Sequence, residues 1–277
     1  MKKITIFTNN ERSLNIIKKL KKKYEINLIV LSKRFLTEKL VSEIRKFNIK
    51  IIYFEKSKKL LAKLADEKPD FILCCGFPKI IKKEIIDIPK YCSINIHGGR
   101  TPHYLGGSPL NWQIINGESK IYISSIKMNE KIDGGPLILQ RSFKINKNDN
   151  LDFVKLKANN LFPRLCIDSI DHIIKRKKLI NFSTKQKKFW KQRSKNDSKI
   201  NMLKSSKLNA HNIIRASSEK NYPAFIVLKK KKIYLYKSRL LQKNVNMNKE
   251  YKFKTNKLYL KFFDGILLIY KFKIKYN

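Results

Sequence analysis

The residues best suited to chemistry crowd into one stretch, INIHGGRTPHYLGGSPLNWQIINGE, from Ile94 to Glu118. It holds two of the chain's four histidines and one of its two tryptophans. Asn95 and His97 stand two apart in a run that reads as a strand, so both side chains face the same side. An asparagine amide is a neutral donor suited to a developing oxyanion, and a histidine can move protons near neutral pH. Asp133 follows 36 positions after His97, in the run Lys131-Ile132-Asp133-Gly134-Gly135. A carboxylate brought to that imidazole would orient it and stabilise its protonated form, which is the logic of a catalytic triad. Taken singly, a strand histidine serves structure as readily as chemistry, and an aspartate before two glycines reads equally well as a turn residue.

The elements that must position these residues alternate along the first half of the chain. KKITIFT, EINLIVLS, IKIIYF, PDFILCCGF and YCSINIH read as strands. Between them lie helical patterns: ERSLNIIKKLKKK, TEKLVSEIRKFN capped by Thr37, SKKLLAKLADEK capped by Ser57, and KIIKKEII. The continuous apolar run FILCC predicts a strand buried on both faces. This alternation predicts an α/β fold with a doubly wound, mostly parallel sheet, which binds ligands beyond the carboxyl ends of its strands. His97 ends the fifth strand, where that architecture places chemistry. Next come a helix in SPLNWQIINGE capped by Ser108, two strands in KIYISSIKMN and GPLILQRSFKI, and a long helix over about 151–176. The expected organisation is a catalytic domain over 1–182, a polar linker over 183–208, and a smaller C-terminal β-rich, barrel-like domain over 209–277.

Composition narrows the classes. Lys+Arg 63 against Asp+Glu 21 gives a net charge of +42. The lysines occur in every segment, which reads as a solvated surface and not as one basic patch, although such a charge attracts any polyanionic substrate. Cys74, Cys75, Cys92 and Cys166 have neither zinc nor disulfide spacing and read as buried thiols. The four histidines are scattered, so no metal is expected. No apolar run is long enough to span a membrane, and the N-terminal ITIF is too short for a signal-peptide core, so the expectation is a cytoplasmic protein without a membrane partner.

From Pro69 to Gln140 the chain resembles the folate-dependent formyltransferases. The family includes methionyl-tRNA formyltransferase, glycinamide ribonucleotide formyltransferase and the nucleotide-sugar N-formyltransferases. The resemblance rests on NIH at 95–97, then RTPHYLGG, NWQIINGE and KIDGGPLILQ in order. FWKQRSKNDSKIN and NIIRASSEKNYPAFIV resemble the junction and second domain of the tRNA and sugar enzymes. The resemblance implies a Rossmann-like domain that moves a formyl group from N10-formyltetrahydrofolate, as co-substrate, to a primary amine. It assigns Asn95 and His97 to the oxyanion, His97 to the amine's proton, and Asp133 to orienting His97. It places the pterin against Cys75, Gly76, Phe77, Pro78, Ile80, Met128 and Ile132, with core packing an equal reading for Phe77. One departure is that Gly98-Gly99-Arg100-Thr101-Pro102 stands where the family has Ser-Leu-Leu-Pro.

Three acceptors compete. Glycinamide ribonucleotide formyltransferase has a glycine-rich loop after its first strand, where this chain has TNNERS, and it lacks a second domain. Methionyl-tRNA formyltransferase has the second domain, but carries a long basic insertion after its second strand that is missing here. The nucleotide-sugar enzymes fit both features and are the preferred resemblance, with a nucleotide-diphosphate aminosugar as substrate. Asn9, Asn10, Arg12, Arg100 and Tyr104 are the residues that could contact it. Homodimerisation through the β domain is expected by analogy with the sugar enzymes. A different class of reading is a non-catalytic nucleic-acid-binding protein on the same fold, for which an intact Asn95, His97 and Asp133 would have no use.

Overall fold

The computed structural model describes the chain apart from residues 55–57, 218–221, 229–230, 242–246 and 277. In order, the elements are β1 (Lys3–Thr8), α1 (Arg12–Leu20), β2 (Glu25–Leu31), α2 (Glu38–Arg45), β3 (Ile51–Tyr53), α3 (Lys58–Asp66) and β4 (Phe71–Cys75). There follow α4 (Lys83–Ile86), β5 (Cys92–His97), β6 (Leu105–Gly106), α5 (Pro109–Ile115), β7 (Lys120–Lys127), β8 (Leu137–Lys144) and α6 (Leu151–Ile174). The rest comprises β9 (Phe189–Trp190), α7 (Lys207–Arg215), β10 (Ala224–Leu228), β11 (Lys231–Leu240), β12 (Tyr251–Lys254), β13 (Lys257–Phe262) and β14 (Gly265–Tyr276). They form two compact units, neither of them continuous in sequence. The first comprises Met1–Gly106, Tyr122–Ser142 and Lys157–Phe189; the second comprises Gly107–Ile121, Phe143–Leu156 and Trp190–Asn277.

The sheet of the first unit runs in the order β3-β2-β1-β4-β5-β7-β8. The ladders from β3 through β5 are parallel, and β7 joins β5 antiparallel. The strand order reverses beside β1, which makes the β1–β4 carboxyl edge the switch point of the sheet. All five residues of β4 are buried, as their apolar run predicts. A fully buried aliphatic side chain of this size contributes about 2 kcal/mol, so such strands anchor the unit. Helix α1 buries Ile16, Ile17 and Leu20, one apolar face at helical spacing. Thr37 caps α2, its hydroxyl accepting from Leu40 N. The cap expected at Ser57 lies outside the described residues.

Two local expectations need correction. Ser108 occupies the N-cap position of α5 but is left-handed (φ 49°) and makes no side-chain cap there. Its hydroxyl accepts instead from Arg193 N at 3.2 Å. The helix foreseen in KIIKKEII shrinks to Lys83–Ile86.

The second unit contains a five-stranded antiparallel sheet, ordered β10-β11-β14-β13-β12. Its inner face buries Ile226, Ile233, Leu235, Leu258, Leu260, Leu267 and Ile269. The buried His211 of α7 is held between Ser238 Oγ at 2.8 Å and Lys147 O at 2.9 Å. Arg193 is also buried, donating to Ala216 O, Ser198 Oγ and Ser217 Oγ. Among the described residues no helix is long and apolar enough to cross a membrane.

Candidate active site

Every residue singled out for chemistry lies in the first unit. Strand β5 sits between β4 and β7, so its backbone is paired on both sides, and Ile94 and Ile96 are buried. The alternate residues, Asn95 and His97, therefore emerge together and meet Asp133. Asn95 Nδ2 donates to Asp133 Oδ1 at 2.5 Å, and His97 Nδ1 lies 3.5 Å from Asp133 Oδ2. Gly106 N donates to the same Oδ2 at 2.7 Å. Asp133 is left-handed (φ 47°), a conformation that aspartate tolerates better than most residues, and the turn aims its carboxylate back at β5. The three residues whose spacing suggested a triad are thus brought together.

The imidazole is held from its far side by a group that no motif reveals. His97 Nε2 lies 2.6 Å from the backbone oxygen of Tyr104. A carbonyl oxygen can only accept, so Nε2 carries the proton. In neutral His97 the lone pair is then on Nδ1, on the side of Asp133. Orientation of the ring, expected of Asp133, falls first to Tyr104 O. Gly99 permits this contact: a Cβ there would lie 2.1 Å from Tyr104 O and 2.4 Å from His97 Nε2.

The loop after β5 is fixed by side chains from β7 and β8. Ser124 Oγ donates to Gly99 O at 2.6 Å, and Gln140 Nε2 donates to Thr101 O at 3.1 Å. The stretch 187–188 braces both active-site loops. Lys187 Nζ donates to Gly134 O at 2.6 Å, and the backbone of Lys188 bonds Pro102 O and Leu105 N. Sequence reasoning missed all of these. Tyr104 O and Gly106 N are backbone groups without a residue signature, and Lys187 is one lysine among many. Only Gly99 carried a signal, as a glycine beside the candidate histidine.

The residues expected around a pterin divide. Cys75 is buried at the end of β4, and Gly76 is left-handed (φ 70°), packed so closely that a Cβ would meet Asn10 Cβ at 2.9 Å. Phe77 is half-buried, its ring edge-on to Phe7 at 5.3 Å and Phe54 at 5.2 Å, which is the core reading. Pro78 follows it, also half-buried. Ile80 and Ile132 remain 67% and 56% exposed, leaving apolar faces at the mouth of the sheet. Met128 packs against the core cluster and lines a pocket of about 310 Å³ with Ile86, Lys83 and Asn129–Lys131. Exposed isoleucines fit a flat heterocycle, although Phe77 offers it no free ring and the space beside Gly76 is filled by Asn10.

The candidate substrate residues also divide. Asn9 is committed to the connection after β2: its amide donates to Ser32 O and Arg34 O and accepts from Ser32 N. Asn10 Oδ1 accepts from the backbone N and from Nε of Arg12. The Arg12 guanidinium lies over the Phe162 ring at 5.1 Å. Burial pushes its pKa down, and no carboxylate pairs with it among the described residues. Arg100 lies over the Tyr122 ring at 4.9 Å. The Tyr104 side chain is buried, so its contribution to the site is its carbonyl. Among the described residues no cluster of His, Cys, Asp or Glu could hold a metal ion.

The chain is similar to known proteins in both sequence and fold. Residues 53–169 match the family model described as formyl transferase. The methionyl-tRNA formyltransferase of Thermodesulfovibrio yellowstonii is 31% identical over 192 residues, 68% of this chain. The chain spans 61% of that relative's length in the match. The fold is that of the N-formyltransferase from Helicobacter canadensis in complex with folinic acid and dTDP-3-aminofucose, with TM-score 0.77 and 21% identity over 99% of this chain and all of that one. Methionyl-tRNA formyltransferase from Clostridium thermocellum aligns over the full length of both chains with TM-score 0.64 and 20% identity. Residues 53–169, which carry the Asn95, His97 and Asp133 constellation, therefore belong to the formyl transferase family.

Proposed function

We propose that the chain is an N-formyltransferase that moves the formyl group of N10-formyltetrahydrofolate to the amine of a nucleotide-linked aminodeoxysugar. The observation that carries the chemistry is the convergence of Asn95, His97 and Asp133 at the end of β5. N10-formyltetrahydrofolate supplies an activated formyl carbon. Asn95 Nδ2 has two protons, one of them spent on Asp133, and the other is free to meet the oxygen that becomes an oxyanion. His97 takes the proton of the attacking amine at Nδ1, because Nε2 is already protonated and held by Tyr104 O. The resulting imidazolium is stabilised by the Asp133 carboxylate 3.5 Å away, and Nδ1 returns the proton to the folate nitrogen as its bond to the formyl carbon breaks, which leaves tetrahydrofolate and the formylated amine. Asp133 itself is kept in place, as an ionised acceptor, by Gly106 N and Asn95.

Two features favour an aminosugar over tRNA. Only Ser32–Thr37 connects β2 to α2, leaving no room for the long basic insertion of the tRNA enzymes. The fold also matches a solved enzyme complexed with a dTDP-aminosugar more closely than it matches a methionyl-tRNA formyltransferase, by TM-score 0.77 against 0.64. Arg12, whose guanidinium pairs with no carboxylate among the described residues, is the residue for the diphosphate. The second reading, methionyl-tRNA formyltransferase, is favoured by the curated relative at 31% identity and by the net charge of +42.

Alanine at His97 or Asp133 tests the chemistry. Each variant should keep the fold and folinic acid binding while losing formyl transfer by roughly a hundredfold or more. Unchanged turnover in either variant would sink the assignment.

A further inference from the structure

The second unit carries a pocket that the catalytic reading does not use. It has a volume of about 370 Å³ and lies on the outer face of the five-stranded sheet. Along β11 the buried Ile233 and Leu235 point inward, so Lys232, Tyr234 and Tyr236 share the outer face. The antiparallel register sets Lys275 directly opposite Lys232 and Lys273 directly opposite Tyr234. Phe225 of β10 completes an aromatic floor, its ring centroid 6.2 Å from that of Tyr234. Tyr222, left-handed (φ 54°) and 47% exposed, forms one wall, and Lys195 stands at the rim.

One feature of this face is costly for a surface without a ligand. Lysines directly opposite one another on adjacent strands repel, and Lys232 faces Lys275 with no acidic residue lining the pocket among the described residues. Lys232 partly offsets this by lying over aromatic rings, 3.8 Å from the Phe225 centroid and 5.0 Å from that of Tyr234. Flat rings beside ammonium groups suit a ligand that is itself a flat ring bearing negative charge: the ring stacks on tyrosine while phosphate oxygens meet Lys273 and Lys275, which line the pocket.

We propose that this face is a second binding site, for a nucleoside phosphate. Size favours a single nucleotide over a nucleic-acid strand. Its volume lies at the small-ligand end of the usual range. The site is independent of the proposed reaction, since all its residues belong to the second unit and none contributes to the catalytic constellation.

Photolabelling of the full chain with 5-azidouridine diphosphate, followed by peptide mapping, tests this. The expected result is label within 222–236 or 271–275 that unlabelled uridine diphosphate suppresses. Tyr234→Ala should reduce that labelling about tenfold, the size expected for one lost stacking platform, and Lys273→Gln should weaken it separately. Because the wild-type map stands by itself, failure of a variant to fold would not shield the proposal. Label confined to other segments, label that survives both substitutions, or suppression by oligouridine but not by uridine diphosphate would each overturn it.

Discussion

Gly99→Ala is the sharpest perturbation of the proposed proton path. Gly99 is not left-handed, so the effect comes from contact and not from backbone torsion. The added methyl would sit 2.4 Å from His97 Nε2 and 2.1 Å from Tyr104 O. A methyl carbon rests roughly 3.5 Å from its neighbours, so the ring, the carbonyl or both must retreat by about 1 Å. The 2.6 Å bond between them would then stretch to roughly 3.6 Å, beyond hydrogen-bonding range. Displacement of a reacting group by about 1 Å can cost on the order of a hundredfold in turnover. The accompanying overpacking should cost stability about 1–3 kcal/mol. The assay is steady-state formyl transfer with the best acceptor, alongside folinic acid binding and thermal unfolding of the same sample. The expected outcome is kcat down about a hundredfold with folinic acid affinity within a few-fold of the parent. Turnover within threefold of the parent in a folded variant would refute the role given to Tyr104 O.

Three further outcomes follow from the same structure. Nitrogen-15 NMR of histidine-labelled protein, with His97→Gln for assignment, should show neutral His97 protonated at Nε2; protonation at Nδ1 instead would contradict the proposed acceptor atom. His211 is buried and its pKa is lowered, chiefly by desolvation, so the unfolded chain binds the extra proton first. Its contribution to stability is complete above about pH 6.5 and is lost as pH falls towards the lower folded value, so His211→Gln should flatten the acid limb of a denaturant-midpoint profile. All four cysteines are buried, and burial pushes the Cys92 thiol up to about 11. At pH 8 only about one Cys92 in a thousand would be thiolate, so Ellman's reagent should find the native thiols slow and the denatured ones fast; rapid native reaction would contradict the packing.

The parts that were legible in the sequence are those set by local rules. Period-two alternation placed Asn95 and His97 on one side of β5, and a run of apolar residues marked β4 as buried. Thr37 announced its helix through the capping rule. The expectations that changed depended on partners distant in the chain. Ser108 was expected to cap α5, but its hydroxyl serves Arg193, 85 positions away. Asn9 looked available to substrate, yet the turn after β2 takes up its amide. Phe77 could equally line a ligand or fill the core, and only its contacts with Phe7 and Phe54 decide between them. The groups that orient His97 and Asp133 are backbone atoms, to which residue identity is nearly blind. The braces at 187–188 lie in a polar stretch whose composition suggested a linker.

The most direct measurement offers the chain a choice of acceptors. The protein would be incubated with carbon-13-formyl-labelled N10-formyltetrahydrofolate, a panel of nucleotide-linked aminosugars and methionyl-tRNA, and every acceptor weighed by mass spectrometry. The account predicts one labelled formyl group on an aminosugar, none on the tRNA, and loss of the product in His97→Ala. Formylation of the tRNA alone would overturn the acceptor, and no labelled product on any amine would contradict the proposed reaction itself.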